Sequence, residues 1–287
     1  MASFFELAPI FIEESTCITF LFEKEIFYNE FACQSCGQPT TVSVNSGRFR
    51  CNRRSCRKEV SIRIHSFFYG HSLKCSRIMH LAYLWLNKVP VSSAVAMSGH
   101  SSKTICDFWK YFRQLVTSNI DEEDVIIGGP GIVVEIDESK FGKRKYHRGH
   151  RVEGVWIFGG VERTPERKIF AVKVEDRSMN TLVPIIQRHV RPGSIIHSDL
   201  WRAYHNLEQL GYEHLTVNHS VNFKDPETGA CTNAIEGSWN GIKASIPPRN
   251  RVQCQMEEHL FEFIWRRKNK NNIWDGFISA LRDVYYD

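Results

Sequence analysis

Two hydrophobic periods divide the chain into a helical segment and a mixed segment. Residues 75–118 carry apolar side chains at intervals of three and four, as at Ile78, Leu81 and Trp85, and this spacing predicts helices. From residue 132 onward, short apolar runs alternate with helical patterns, which favours a sheet covered by helices. The acidic and then Gly/Pro-rich stretch 121–131 lies between the two and predicts a linker.

The helical segment predicts three helices with a tight turn, Ser98-Gly99-His100, between the second and the third. Two helices joined by a short Gly-containing turn form a helix-turn-helix pattern, whose second helix enters the major groove of DNA in the proteins that use it. Packing helices show the same pattern, so both readings stay open. The candidate DNA contacts near the start of the third helix are Ser102, Lys103 and Thr104.

The mixed segment predicts three strands, a helix, a strand, a helix, a strand and a helix. The predicted bounds are strands 132–137, 154–162 and 169–174, helix 180–190, strand 194–197, helix 201–210, strand 214–218 and helix 234–245. This order predicts an α/β domain of the ribonuclease-H-like class, built on a mixed five-stranded sheet. In that layout the first and fourth strands end side by side, and the last helix lies next to them.

Three acidic residues occupy the positions that this layout brings together. Asp137 lies in the first strand, Asp199 follows the fourth strand, and Glu236 lies in the last helix. Convergent carboxylates are the ligands that a catalytic pair of hard divalent cations requires. Asp199 is also a typical helix N-cap, and Glu236 suits a first helical turn. Glu135 and Glu138 compete for the first position, and only Glu135 shares strand parity with Asp137.

Four cysteines have the spacing of a structural zinc site. Cys33-x2-Cys36 and Cys51-x4-Cys56 are separated by fourteen residues, which include an alternating strand and a turn. Two short hooks joined by a hairpin can close a tetrahedral site of four thiolates, and such a site has no open position for chemistry. We therefore expect a zinc ribbon over 33–56; four incidental thiols are the alternative.

Charge is concentrated in two clusters, although the formal net charge is only +5 over 287 residues. Clustered Lys and Arg bind polyanions by releasing counterions, which makes these segments candidate DNA contacts; solvated loops are the alternative. One cluster lies at Arg266–Lys270. The other comprises Lys140, Lys143, Arg144, Lys145, Arg148 and Arg151.

The sequence predicts a soluble intracellular protein with no membrane association. No basic n-region precedes the N-terminal apolar residues, where Glu6 interrupts Phe4, Phe5 and Leu7, and no apolar stretch approaches the ~20 residues of a membrane span. The nine cysteines are then not expected to form a disulfide framework.

The ordered motifs resemble those of the Merlin-type cut-and-paste transposases and their bacterial insertion-sequence relatives. The motifs are VVEIDESKFGKRK, HSDLWRAY, VNHSVNFKDPETGACTNAIEGSWNGIK and EFIWRRKN, after the cysteine ribbon and the helix-turn-helix. The resemblance implies Asp137, Asp199 and Glu236 as the catalytic triad, with two Mg²⁺ or Mn²⁺ ions. It implies double-stranded DNA, both terminal inverted repeats and target, as substrate, and a homo-oligomer that holds two ends. The compartment would be the nucleus in a eukaryotic host and otherwise the cytoplasm or nucleoid.

Four further positions match the motif around the acidic helix residue, and the resemblance implies supporting roles for them. A departure stands at Cys231, where the family pattern has His. If that His takes part in catalysis, this copy is impaired. The supporting positions are His219, Asn233, Trp239 and Lys243.

The expected organisation is an N-terminal region with the ribbon over 1–70, a helix-turn-helix domain over 71–120, a linker over 121–131 and a catalytic domain with C-terminal helices over 132–287. Two other functions stay open. One is a domesticated, transposase-derived DNA-binding protein without catalysis. The other is a metal-dependent nuclease without strand transfer.

Overall fold

The computed structural model describes residues 3–44, 46–142, 154–218 and 224–286. The chain divides into two compact units, one formed by residues 1–119 and 269–287 and the other by residues 120–268.

The first unit begins with two helices that the sequence analysis did not predict. The first of them starts with a capping box: the Glu6 amide donates to Ser3 Oγ, and the Ser3 amide donates to Glu6 Oε2. A three-stranded antiparallel sheet and three further helices follow. The elements are α1 (Phe4–Ile12), α2 (Glu14–Glu23), β1 (Thr40–Ser43), β2 (Arg48–Cys51), β3 (Glu59–Ser61), α3 (Cys75–Leu86), α4 (Val91–Ser98) and α5 (Ser102–Ser118).

The turn between α4 and α5 has the geometry that its sequence predicts. Gly99 adopts a left-handed conformation with φ of 73°, which ends α4, and Ser101 caps α5 by accepting the Thr104 amide at 3.1 Å. The inner face of α5 is apolar, and Phe112 packs among Phe67, Trp85 and Phe108. These contacts hold the start of α5 at the surface, where Ser102 and Lys103 are exposed.

The second unit is an α/β unit around a mixed five-stranded sheet, as predicted. The sheet order is β10-β9-β5-β6-β7, with β5, β6 and β7 antiparallel and β9 and β10 parallel to β5. The elements are β4 (Ile127–Gly128), β5 (Val133–Phe141), β6 (Val155–Glu162), β7 (Ile169–Val174), α6 (Met179–His189), β8 (Val190–Arg191), β9 (Ile195–Ser198), β10 (Glu213–Thr216), α7 (Asn233–Ser245) and α8 (Met256–Lys268).

The sheet is apolar on both faces, and a separate core covers each face. Val134, Ile136 and Phe158 pack on one side against α6 and the segment that follows β9. Phe141 and Ile157 pack on the other side against α7 and α8. Side chains alternate along a strand. Neighbouring acidic residues of β5 therefore belong to different environments.

The predicted helix 201–210 is wrong. Two 3-10 turns, Arg202–Tyr204 and Glu208–Leu210, occupy this segment, and Gly211 ends it in a left-handed conformation. Tyr204, Leu207 and Leu210 all pack on the sheet. In 3-10 geometry, with three residues per turn, these three side chains lie in line on one side of the segment.

The last helix, α9 (Ile273–Asp283), belongs to the first unit. Its Phe277 packs on Trp85 and Phe112 of α3 and α5. The second unit ends at Lys268, so α8 and α9 belong to different compact units, although both lie within the predicted domain 132–287. None of the helices in the described ranges is both long enough and apolar enough to cross a membrane.

Candidate functional site

The register between β5 and β9 places two of the candidate carboxylates at the same level. Glu135 pairs with His197 in this parallel ladder, so two residues further on Asp199 reaches the level of Asp137. Asp199 leaves the strand in a turn, in which its Oδ1 accepts the Trp201 amide at 3.0 Å. This is a local side-chain turn rather than the cap of an α-helix.

Asp137 is tied to α7 by an indole. The Trp239 Nε1–H donates to Asp137 Oδ2 at 3.0 Å. Gly159 is the partner of Asp137 on β6, and a Cβ there would lie 2.8 Å from the Trp239 ring and 2.6 Å from the Phe170 carbonyl oxygen. A glycine at this position therefore lets the indole lie against the sheet beside Asp137.

Burial and neighbouring negative charges raise the pKa of two acidic residues of β5, Asp137 and Glu138. Burial raises the pKa of Asp137 to about 7, and the negative charges of Glu138 and Asp199 add to that effect. Burial also raises the pKa of Glu138, although its hydrogen bond from the Tyr204 hydroxyl, at 2.6 Å, acts in the opposite direction. Carboxylates are therefore concentrated in the middle of β5 and just after the end of β9, and a bound cation stabilises such a site.

Glu135 fixes the start of α7 rather than facing solvent. Its side chain is 1% exposed, and Oε2 accepts the amides of Ala234 at 2.6 Å and Ile235 at 3.0 Å. Thr232, at the N-cap position, makes no capping bond of its own. A buried carboxylate on β5 thus supplies the cap that α7 lacks, and the helix dipole favours its charge.

Helix α7 carries its functional candidates along one side. Glu236 precedes Trp239 by three residues and Lys243 by seven, and residues at these intervals share a face. Glu236 is exposed and accepts the Thr232 hydroxyl at 3.0 Å. Lys243 is partly buried, with Nζ 5.3 Å from the Phe141 ring centroid, and burial lowers its pKa while the charge of Asp137 raises it.

Cys231, at the position where the resemblance leads us to expect a histidine, is buried beside Glu135. Its Sγ lies 3.8 Å from Glu135 Oε1 and 3.6 Å from the Arg163 guanidinium, and its amide donates to His197 Nδ1 at 3.4 Å. Cys231, Glu135 and Arg163 border an open cleft of about 460 Å³ that Asn233 also lines. The expected histidine position therefore lies on the Glu135 side of β5.

The acidic residues fit a hard divalent cation by their chemistry. Asp137 in β5 and Asp199 just after β9 carry carboxylates on adjacent strands, and the charge of Asp199 disfavours that of Asp137, a repulsion that such an ion relieves. Among the His, Cys, Asp and Glu side chains of the described residues, the four ribbon cysteines form a group whose ligand atoms all lie within 4.8 Å of one another. Asp137, Asp199 and Glu236 are not gathered that tightly.

The cysteine cluster fits zinc by geometry. Cys33 Sγ lies 3.7 Å from Cys56 Sγ, and Cys36 Sγ lies 3.5 Å from Cys51 Sγ. Tetrahedral zinc with Zn–S bonds of about 2.3 Å requires sulfur atoms about 3.8 Å apart. The four cysteines could therefore bind a structural zinc ion, as their spacing predicts.

The predicted basic contacts fall partly inside the described residues. Lys140 is exposed on β5, with Nζ 5.3 Å from the Trp156 ring centroid. In the Arg266–Lys270 cluster, Arg266 pairs with Glu262 and Lys268 with Asp124. The candidates outside the described residues are Lys143, Arg144, Lys145, Arg148, Arg151 and His219.

Sequence reasoning did not assign partners to Glu135 and Glu138. The alternation of side chains along β5 predicts that the two residues lie on opposite faces. It does not predict the amides that Glu135 caps, because these lie about a hundred residues further along the chain. The hydroxyl that binds Glu138 comes from Tyr204, in the segment predicted as a helix. The signal that could have found both is the presence of three acidic residues within four positions of a strand, where Asp and Glu are depleted.

The chain is similar in sequence to known transposases. Residues 119–267 match the family model of the ISXO2-like transposase domain, which covers about half of the chain and nearly all of the second unit. An uncharacterized transposase-like protein of Haemophilus influenzae is 33% identical over 103 residues, which are 36% of this chain and 82% of that protein.

Proposed function

This chain belongs to the family of ISXO2-like transposases, and from that premise we propose that it is a DDE-type DNA transposase. It would cut DNA at the terminal inverted repeats of its element and join the freed 3′ ends to target DNA. The observation that supports the proposal is the register of β5 and β9, which brings Asp199 to the level of Asp137, the residue that Trp239 of α7 binds.

A ribonuclease-H-like fold and a Merlin-type relationship are the finer parts of the proposal. Three antiparallel strands followed by two strands parallel to the first support that fold. The ordered motifs from the ribbon to EFIWRRKN support the Merlin-type relationship. We infer the corresponding division of labour, with end recognition in residues 1–120 and catalysis in the unit that follows.

Asp137, Asp199 and Glu236 would hold Mg²⁺ or Mn²⁺, which when bound activates the attacking oxygen and neutralises the leaving one. The chain's own residues prepare this site. Trp239 orients Asp137 through its indole N–H, and Glu135 fixes the start of the helix that carries Glu236. Lys243, which lies close enough to Asp137 to sense its charge, would bind a non-bridging phosphate oxygen.

Binding of the element's ends is assigned to the basic and ribbon segments. Ser102 and Lys103, exposed at the start of α5, would contact DNA together with Thr104, and the exposed Lys140 would contact phosphates near the acidic residues. The other basic residues that follow β5, and His219, are part of the proposal on their sequence alone. Two ends must be held together during joining, so we propose a homo-oligomer.

The test is cleavage and joining on the sequences that flank this chain's own gene. Labelled duplexes of those ends are incubated with Mg²⁺, Mn²⁺ or EDTA, using wild-type protein, Asp137→Asn, Glu236→Gln and the control Glu166→Gln, whose side chain is exposed on the β6–β7 turn. We expect metal-dependent products from the wild type and the control, and a loss of at least 100-fold in the other two.

The outcomes separate the proposed activity from its alternatives. Undiminished cutting by Asp137→Asn would refute the acidic assignment. Binding of the ends without any cut, in either metal, would favour a DNA-binding protein without catalysis. Cutting without joined product would favour a nuclease.

A further inference from the structure

Two tryptophans and an arginine form a stack beside the acidic residues. The Arg177 guanidinium carbon lies 4.2 Å from the Trp156 ring centroid and 4.6 Å from the Trp201 ring centroid. Lys140 approaches the same Trp156 ring at 5.3 Å. Rings and cations thus alternate at the surface of the sheet, an arrangement that favours aromatic and anionic ligands together.

Trp201 is held rigidly although it is not buried. Its amide donates to Asp199 Oδ1 and its indole N–H donates to the Arg177 carbonyl oxygen, both at 3.0 Å, while the guanidinium covers part of the ring. The residue is nevertheless 38% exposed, and its neighbour Leu200 is 56% exposed. A ring fixed in this way presents apolar surface to solvent at little further entropic cost on binding.

The stack adjoins the site where the reacting phosphate would lie. Trp201 is two residues from Asp199 and bonded to its carboxylate. Arg177 partly offsets the negative charge of Glu138, the neighbour of Asp137 in β5. A base next to a phosphate bound at Asp199 would therefore lie near the Trp201 ring. A base paired inside a duplex is covered on both faces and cannot stack there.

On the basis of the proposed function, we propose that Trp201, held by Arg177, stacks on an unpaired nucleobase next to the reacting phosphate of the DNA substrate. The chain would thus bind the cleaved end in a form in which at least one base has left the duplex. Arg177 and Lys140 would contact the phosphates of that strand. Sequence-tolerant stacking of this kind is characteristic of proteins that bind single strands.

The test uses two DNA probes in Ca²⁺ buffer, chosen so that binding is measured without the metals of the proposed reaction. One probe is a duplex with a three-nucleotide single-stranded flap, and the other has the same flap with abasic sites. Affinities are measured by fluorescence anisotropy for wild type, Trp201→Ala, Trp201→Phe and Leu200→Ala. Leu200→Ala is the matched control, because it removes apolar area from the same turn without removing a ring.

We expect the wild type to bind the flap with bases roughly 5- to 150-fold more tightly than the abasic flap, the range of one base–aromatic stack. Trp201→Ala should remove this difference, whereas Trp201→Phe and Leu200→Ala should keep most of it. Circular dichroism of each variant checks that the fold is intact.

Three results would overturn the inference. Equal affinity of the wild type for both flaps would show that no base is recognised, and would leave the proposed function standing. An undiminished difference in Trp201→Ala would show that another surface reads the base. Absence of binding to both probes, each of which contains a duplex, would count against the proposed function itself, and therefore against this inference with it.

Discussion

Replacing Glu135 by Ala should release the start of α7. The buried carboxylate accepts two helix amides, from Ala234 and Ile235, and a hydrogen bond to a charged acceptor contributes about 1.5–3 kcal/mol. Loss of both bonds sets an upper range of about 3–6 kcal/mol. Burial raises the pKa of Glu135, so its charged form is held at a cost, and we take the lower end, about 3 kcal/mol.

Native-state hydrogen exchange measures this effect where it occurs. A loss of about 3 kcal/mol corresponds to a fall of roughly 100-fold in the protection of the first-turn amides of α7. We expect Glu135→Gln to lose less, because the amide oxygen still accepts. Peptides from α6 and β10 should keep their protection in both variants, because they lie in other elements of the unit.

Glu166→Ala is the control for loss of a carboxylate, because Glu166 is exposed on the β6–β7 turn. Its exchange pattern should match the wild type. Unchanged protection at residues 233–237 in Glu135→Ala would refute the capping role. Uniform loss of protection across the second unit would show that Glu135 stabilises the whole unit and not α7 in particular.

Three further predictions concern the ribbon, a buried histidine and the floor of the site. Chelation of zinc, or Cys36→Ala, should expose the 33–56 segment to trypsin, while Cys106→Ala, at an exposed position, should not. Burial lowers the pKa of His189, so as pH falls the imidazole binds a proton in the unfolded state before it does so in the folded state. The free energy of unfolding should therefore fall as pH drops below about 6.5. The difference between the urea midpoints at pH 7.5 and pH 5.5 should be smaller in His189→Asn than in the wild type. Gly159→Ala should lower the melting temperature by the equivalent of about 1–3 kcal/mol through overpacking, whereas Gly237→Ala, with open space at its Cβ, should be neutral or stabilising.

The elements of the second unit were predictable because their apolar runs are short and sharply bounded. The predicted strand 169–174 is β7, and the predicted helix 180–190 differs from α6 by one residue at each end. The prediction for β5 stopped at Asp137, whereas the strand continues to Phe141. Its last residues are mostly polar, and only the pairing with β6 shows that they belong to the ladder.

Other features depend on contacts that no local pattern contains. The two-residue pair of β4 and β8 joins Ile127 to Val190 and is too short to have a period. The 3-10 turns near Tyr204 pack three apolar side chains on the sheet, and their spacing of three in the sequence is equally compatible with an α-helix. For the candidate site, the three acidic positions could be read from sequence, but the tie from Trp239 to Asp137 could not.

The three acidic residues of β5 show how environment decides between candidates that the sequence left open. Glu135 is almost fully buried, and its Oε2 accepts hydrogen bonds from two amides of α7. If Glu135 were a metal ligand, α7 would lose this cap. Glu138 lies on the face where the Tyr204 hydroxyl binds it, opposite to α7. Asp137 alone of the three is bound by α7 through a side chain and shares its level with Asp199. Strand parity and partner choice together therefore favour Asp137 as the ligand that we propose, with Glu135 as the residue that keeps α7, and Glu236 with it, in place.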